Sequence, residues 1–505
     1  MPRAAISPPS KERRFPLAAL SFAMSLLSGL ALRLWLTTRN AGITMDSPLY
    51  WRMAEAIRHG QRALGPAHHG YPALIALVAP LLPGPIWPGR FVSLLAALAL
   101  MVVVHALARR SLAPAWSSLA VWLVALHPLL AVYGGVVMTE STVLALLYGA
   151  LLWMERERFL TSGVAMGLAY LVRPEALALA PLGALCARGP GRRVLLVLAG
   201  FALVLAPYVG YLRWERGSWM VSPKTVLVRP TLPKGRSAEW HVGAAAPLPA
   251  ESMTFVQRLR WAAPSVAHNY LPGLRQHLSL LLRSWPWPLL LLSALGLVGW
   301  RRALLAPLLL EAALPLLAVP FDPRFSLLAV PALAVFAAGG AAWAAGWLRG
   351  RPPWQRVAVA GMLALAGLGV FWLWQGPDGR QARTFDDGPM KQMQNAGEWL
   401  KAHGKPGARV MDRKAYVPFY AGMEHVQLPD DDYDTIVEFA RREGIDYLVL
   451  EEYVVRTLRK QMAPLEDPDF RAREKRLRLV YVTGSEPDDG VAVLQVVRDS
   501  SAAGP

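Results

Sequence analysis

The sequence predicts an all-α polytopic membrane domain of about eleven transmembrane helices, followed by a soluble α/β domain. Three observations carry that prediction. The chain of 505 residues is 54% hydrophobic, with mean hydropathy +0.31, and it holds several apolar runs near the roughly 20 residues that cross a bilayer. Its charge is unevenly divided, with Lys and Arg against Asp and Glu at 34 to 12 through residue 375 and 19 to 23 afterwards. Beyond residue 376 the long apolar runs give way to short amphipathic helices and strands. The 19 Trp and 42 Pro fit a membrane chain, because Trp gathers at lipid interfaces and Pro is tolerated in spans.

The net charge of +18 does not indicate nucleic acid, because the excess lies in short loops between apolar runs. These are KERR before residue 15, ARR at 108–110, ERER at 155–158, ARGPGRR at 187–193, RR at 301–302 and RGRPPWQR at 349–356. Positive residues stay on the cytoplasmic side. The spans between them are expected at 15–37, 88–108, 115–133, 141–154, 160–173, 174–187, 194–213, 284–300, 303–320, 325–348 and 357–375. An odd number places the N-terminus inside and the C-terminus outside, in a bacterial inner membrane the periplasm. The pair around Arg173 is shorter than a full crossing and must lean on its neighbours. Residues 71–83 are too short to span and are expected to lie along the outer interface. The first span follows a basic, polar segment and has no small-residue cleavage site, so it reads as an uncleaved anchor. With one Cys, at 186, the fold cannot rest on an internal disulfide.

The membrane domain, 1–375, then has two large outer loops, 38–87 and 214–283. The second is rich in Pro, shows no long periodic run, and is too long for a structureless connection, which marks it as functional. In the outer domain, 376–505, MKQMQNAGEWLKAHG and DDDYDTIVEFARREG read as helices, and ARVMDR, DYLVLEEY, RLRLVYV and VAVLQVV as strands.

The cytoplasmic loops are too short for a nucleotide-binding domain, and the chain has neither a phosphate loop nor a Rossmann fingerprint. Chemistry must therefore sit outside, on a substrate already activated and carried by lipid. The polar residues collect on that side. Asp46 and Glu55 lie in the first outer loop, His68 and His69 precede the interfacial helix, Glu140 lies in MTES, Arg173 and Glu175 form RPE, and Asp322 and Arg324 form FDPRF. Ionisable groups at membrane depth are costly and indicate a site.

Each also has a structural reading. Asp46 or Ser47 before Pro48 suits a helix N-cap, as does Glu140 before its span. Glu55 belongs on a solvated face, Arg173 can pair with Glu175, and Arg324 with Asp322. Glu311, inside LLLEAALP, should face the bundle or a cavity. The acids of DDDYD favour the start of a helix over a metal site.

The order of DSPLYWRMAEAI, HGYP, MTES, GVAMGLAYLVRPEALALAPL and RFSLLAVP resembles the bacterial GT-C superfamily. These are polyprenyl-phosphate-sugar-dependent glycosyltransferases akin to protein O-mannosyltransferases and lipid A aminoarabinose transferases. The resemblance covers most of the chain and is sharpest at GLAYLVRPEA, while the C-terminal domain matches only in being outside and α/β. It implies transfer of a sugar from a polyprenyl-phosphate donor to an envelope glycan, lipid or protein. Asp46 matches the family's first-loop acid and would be the general base of an inverting displacement. Arg324 and Arg173 would hold the departing phosphate, with Lys224 of SPKT a weaker third. Glu140, Glu175, Tyr71 of HGYP and His69 complete the expected substrate-binding set. No cofactor is required. Some relatives hold a divalent cation, for which His68, His69 and Glu140 would be the ligands, but adjacent His side chains diverge. Two other classes fit the topology: a lipid-linked-sugar transporter, for which an inverted repeat is missing, and a non-catalytic assembly protein that binds through its outer domain.

Overall fold

A computed structural model describes residues 15–39, 43–44, 46–178, 191–217, 219–223, 242, 255–297, 302–313, 323–347, 352–383, 389–484 and 490–498. Among the described residues the helices begin with α1 (Phe15–Arg39), α2 (Ser47–Arg58), α3 (Gly70–Val78), α4 (Trp87–Ala108), α5 (Pro114–Ala125), α6 (Pro128–Tyr133), α7 (Glu140–Glu155), α8 (Phe159–Val172) and α9 (Gly191–Arg216). They are followed by α10 (Phe255–Ser284), α11 (Trp287–Gly296), α12 (Ala306–Ala313), α13 (Val330–Trp347), α14 (Pro352–Gln375) and α15 (Pro377–Arg383).

The chain is a multi-pass membrane protein, but eleven full spans are not found among the described residues. Five helices, within α1, α4, α9, α13 and α14, are long and apolar enough to cross a bilayer, or six if α10 and α11 form one span bent by 99°. The expected span at 115–133 breaks at His127 and Pro128 into α5 and α6. α7 and α8 have 16 and 14 residues, which at about 1.5 Å per residue fall short of the hydrocarbon core. Of the expected span at 174–187, residues 174–178 form a 3₁₀ turn and the remainder lies outside the described residues. The run expected at 71–83 forms as α3 and a 3₁₀ turn to Leu81. It buries Tyr71 and Ile75 and exposes Leu77 and Leu81, as an amphipathic surface helix should.

Small residues set the helix crossings. A Cβ on Gly163 would lie 2.0 Å from the Val197 carbonyl oxygen, and one on Gly200 2.1 Å from that of Leu160, so α8 and α9 touch backbone to backbone. α7 and α8 are antiparallel neighbours, with charged turns at one end, where Arg110 donates to the Glu155 carbonyl and Arg193 pairs with Glu157. The opposite end carries Glu140 and Arg173.

The segment 214–283 holds a long helix that its sequence does not suggest. α10 is 30 residues long and begins at Phe255 within it, although Pro264 and Pro272 fall inside the helix and each removes a backbone donor.

Residues 389–498 build around a five-stranded sheet of β1 (Arg409–Asp412), β2 (Glu424–Gln427), β3 (Tyr447–Glu451), β4 (Leu477–Thr483) and β5 (Val491–Val496), in the order β2-β1-β3-β5-β4. β1 pairs parallel with β2 and β3, and β5 pairs antiparallel with β3 and β4. Alternate residues serve two apolar layers. Val410, Val449 and Val493 pack with α16 (Pro389–His403) and α17 (Tyr416–Ala421), while Met411, Leu448 and Leu494 pack with α18 (Tyr433–Arg442). The four expected strands and two expected helices form, whereas β2 and α17 are too short to carry a periodic signal. Asp432 caps α18, accepting from the Thr435 amide at 3.0 Å, so the acidic run does begin a helix.

Ile43, between α1 and α2, is buried in the layer formed by α16 and α17. That contact brings the sheet against the residues leading into Asp46.

Candidate active site

Asp46 stands immediately before α2, but its side chain makes no capping hydrogen bond. The turn is instead held by its neighbours. The Ser47 hydroxyl lies 3.0 Å from the Thr44 amide, and the Thr44 and Ser47 hydroxyls both reach the Val137 carbonyl oxygen, at 3.0 and 3.3 Å. Val137 is three residues before Glu140, so this turn is fixed to the segment that leads into α7. The Asp46 carboxylate, with the backbone supported by others, points to Arg324, whose Nη1 lies 3.3 Å from Oδ2. Both side chains keep solvent access, at 24% for Arg324 and 37% for Asp46.

A second, more buried cluster lies alongside. Arg173 Nη1 donates to Glu140 Oε1 at 2.9 Å, and its Nε donates to Glu175 Oε2 at 3.2 Å. The Glu140 side chain is only 2% exposed. Glu140 therefore binds Arg173 in place of capping α7, and the turn after α8 is stitched to the start of α7. Gly70 permits α3 to approach here, since a Cβ would meet the Leu171 carbonyl oxygen at 2.6 Å.

Tyr50 joins the two clusters and was not singled out by sequence. It lies one helical turn after Asp46 and packs edge-on against Tyr71, with ring centroids 5.1 Å apart. Burial holds its phenol well above the ordinary value, reinforced by Asp46 and Glu140 and opposed by Arg173 and Arg324. It therefore stays protonated, a neutral donor among charges. The i, i+4 spacing in DSPLY was the available signal. Tyr71 itself lies behind this layer, donating to the Gly89 carbonyl oxygen at 3.0 Å and lying 2.8 Å from the Ser93 hydroxyl.

His69 belongs to a different cluster. Its Nε2 is 3.0 Å from Glu215 Oε1 and its Nδ1 2.9 Å from the Tyr208 hydroxyl, while Tyr211 also donates to Glu215. Burial holds His69 below its ordinary value despite Glu215. Glu215, fully buried at the end of α9, carried no sequence signal beyond its charge. His68 faces the Tyr170 carbonyl oxygen and Ser222, so the adjacent His side chains do diverge. Among the described residues no three of His, Cys, Asp and Glu come together as a metal-ligand set. Glu55 is exposed. Glu311 is buried, 3.6 Å from His277 of α10. Lys224 and Asp322 lie outside the described residues.

The sheet borders the Asp46 cluster through Tyr416, whose phenol is pushed upward by burial and then by Glu451, Asp46 and Asp412. Asp412 and Glu451 end the adjacent parallel strands β1 and β3 on that same face of the sheet. Burial raises both carboxyl groups, Glu451 to about 7.

ArnT from Cupriavidus metallidurans bound to undecaprenyl phosphate superposes with a TM-score of 0.56 at 14% identity, over 98% of this chain and 100% of that one. The chain has the GT-C fold. The archaeal oligosaccharyltransferase AglB from Archaeoglobus fulgidus, in complex with an inhibitory peptide and a dolichol-phosphate, also has a TM-score of 0.56. The two are 12% identical over 97% of this chain and 75% of AglB. Residues 69–223 match the model of the dolichyl-phosphate-mannose-protein mannosyltransferase family. Within the GT-C fold that stretch contains His69, Tyr71, Glu140, Arg173 and Glu175, whereas Asp46 and Arg324 lie to either side of it. No curated protein matches the sequence.

Proposed function

We propose that the chain transfers a sugar from a polyprenyl phosphate to a hydroxyl of an envelope glycan, lipid or protein, on the periplasmic face of a bacterial inner membrane. The observation that carries this reading is the Asp46–Arg324 pair. It joins residues 278 apart in sequence, at the end of the bundle away from the basic turns, and remains open to solvent. The solved GT-C structures named above, one with undecaprenyl phosphate and one with dolichol-phosphate, support a lipid-linked donor.

In this reading Asp46 removes the proton from the acceptor hydroxyl as its oxygen attacks the anomeric carbon. The bond from that carbon to the phosphate oxygen breaks, with inversion, and polyprenyl phosphate departs as an anion. Arg324 suits that anion, because a planar guanidinium can donate two parallel hydrogen bonds to phosphate oxygens. Engaging phosphate would draw Arg324 from Asp46 and free the carboxylate to take the acceptor's proton. Arg173 is less suited to the same task, since two carboxylates already flank it and repel a phosphate. It holds the wall of the site. Lys224 would lie in the outer loop as a further phosphate contact, and residues 1–375 and 376–505 would act as the membrane and periplasmic domains.

The 99° bend between α10 and α11 favours a second reading, transport of the intact lipid-linked sugar through a broken helix. A panel of synthetic polyprenyl-phosphate sugars, incubated with purified protein and a membrane extract as acceptor, separates the two. Release of free polyprenyl phosphate is expected. Passage of intact donor across reconstituted vesicles, with no release, would overturn the transferase reading.

A further inference from the structure

Arg324 sits in a 3₁₀ turn, Pro323–Leu328, and what holds that turn is a buried polar hub. The Ser326 hydroxyl donates to the Ser284 hydroxyl at 3.1 Å, and the Ser284 hydroxyl donates to Asp378 Oδ2 at 2.7 Å. Asp378 Oδ1 accepts from Arg283. The Ser284 carbonyl oxygen lies 2.9 Å from His127 Nε2, whose Nδ1 accepts from the Leu130 amide. Ser326, Ser284 and His127 are fully buried and Asp378 is 1% exposed.

Four elements meet in this hub: the start of α6, the end of α10 at its bend, the turn that bears Arg324, and α15. Such a hub is expensive to bury unless every member is satisfied, and here each carboxylate oxygen of Asp378 has its own donor. In a 3₁₀ turn of three residues per revolution, residues two apart point to different sides. Ser326 can thus anchor the turn inward while Arg324 reaches outward to Asp46. Nothing in the transfer chemistry requires a carboxylate at position 378, well after the last site residue, and its place between α14 and the sheet would otherwise call for a solvated loop residue.

We propose that Asp378 is a positioning residue, acting through Ser284 and Ser326 to set the guanidinium of Arg324 against Asp46 and the departing phosphate. This rests on the transferase reading for its kinetic consequence, though not for its geometry. Asp378→Asn keeps the size of the side chain and an oxygen for Ser284 but loses the charge that holds Arg283. Ser326→Ala cuts the hub from the turn and leaves Asp378 intact.

A double-mutant cycle with Arg324→Gln tests the kinetic part. Each hub substitution alone should lower kcat about tenfold, and neither should lower it further when Arg324 is already replaced, because residues acting through one group are not additive. Additive losses would overturn the proposal. The geometric part is tested without turnover, in a Cys186→Ser background carrying Asp46→Cys and Arg324→Cys, by the yield with a short bis-thiol crosslinker. Adding Ser326→Ala or Asp378→Asn should lower that yield severalfold, and an unchanged yield would refute the positioning role. A wild-type protein that releases no polyprenyl phosphate, with crosslinking that still depends on the hub, would instead sink the transferase reading alone.

Discussion

At the scale of single residues, the ionisable groups of the apolar part were the most legible feature of the sequence, because each is costly near lipid. Asp46, Glu140, Arg173, Glu175 and Arg324 come together in two adjoining clusters. Their partners were less legible: Arg324 pairs with an aspartate 278 residues distant, and the Glu140–Arg173 contact crosses two helices. Tyr50 and Tyr416 went unnoticed because an aromatic in a half-buried segment reads first as packing. The sequence also left Asp46 open between helix cap and site residue, and the uncapped carboxylate favours the site. If Arg324 binds phosphate bidentately, Arg324→Lys should raise KM for the donor roughly tenfold, as the loss of one charged hydrogen bond would. Initial rates against donor concentration measure this, and an unchanged KM would assign the guanidinium to holding Asp46 alone.

At the scale of elements, hydropathy located the long helices, while several shorter expected spans do not form as full crossings among the described residues. α7 and α8 are apolar along their middles, yet they end at the charged turn they share and at the Glu140–Arg173 pair opposite. α10 escaped detection for the opposite reason, since its two prolines argue locally against a helix that the surrounding structure supports. The α8–α9 crossing depends on glycine at a place where the backbone of one helix fills the space of a side chain. Gly200→Val is therefore expected to force the pair apart and destabilise the protein by about 3 kcal/mol, the scale of severe overpacking. Thermal unfolding in detergent would show it as a lowered Tm, while Gly149→Ala, inside α7 where a Cβ meets nothing within 4 Å, should not lower Tm and should raise it slightly.

At the scale of the whole molecule, the short apolar runs of β1, β3, β4 and β5 made the strands legible, but the docking of the sheet was not. Ile43 is one apolar residue in a polar loop, and nothing local says that it inserts between α16 and α17. Its burial places the Asp412 and Glu451 face near Asp46 and yields a pH dependence. Glu451 is raised by burial to about 7, and Asp412 is raised too, so the folded state holds more protons than the unfolded chain between the ordinary carboxylate range and about pH 7. Stability should then fall as pH rises from 5 to 8. Glu451→Gln should flatten that slope in thermal unfolding, and an unaltered slope would place the titration elsewhere. The role of Asp46 as base is read from release of polyprenyl phosphate from a donor that the wild type turns over, compared with Asp46→Asn at matched folding. A fall of at least a hundredfold is predicted, on the scale of losing a general base, with donor still bound. Release at the wild-type rate would rule out a general base at Asp46 and return the residue to a structural place at the head of α2.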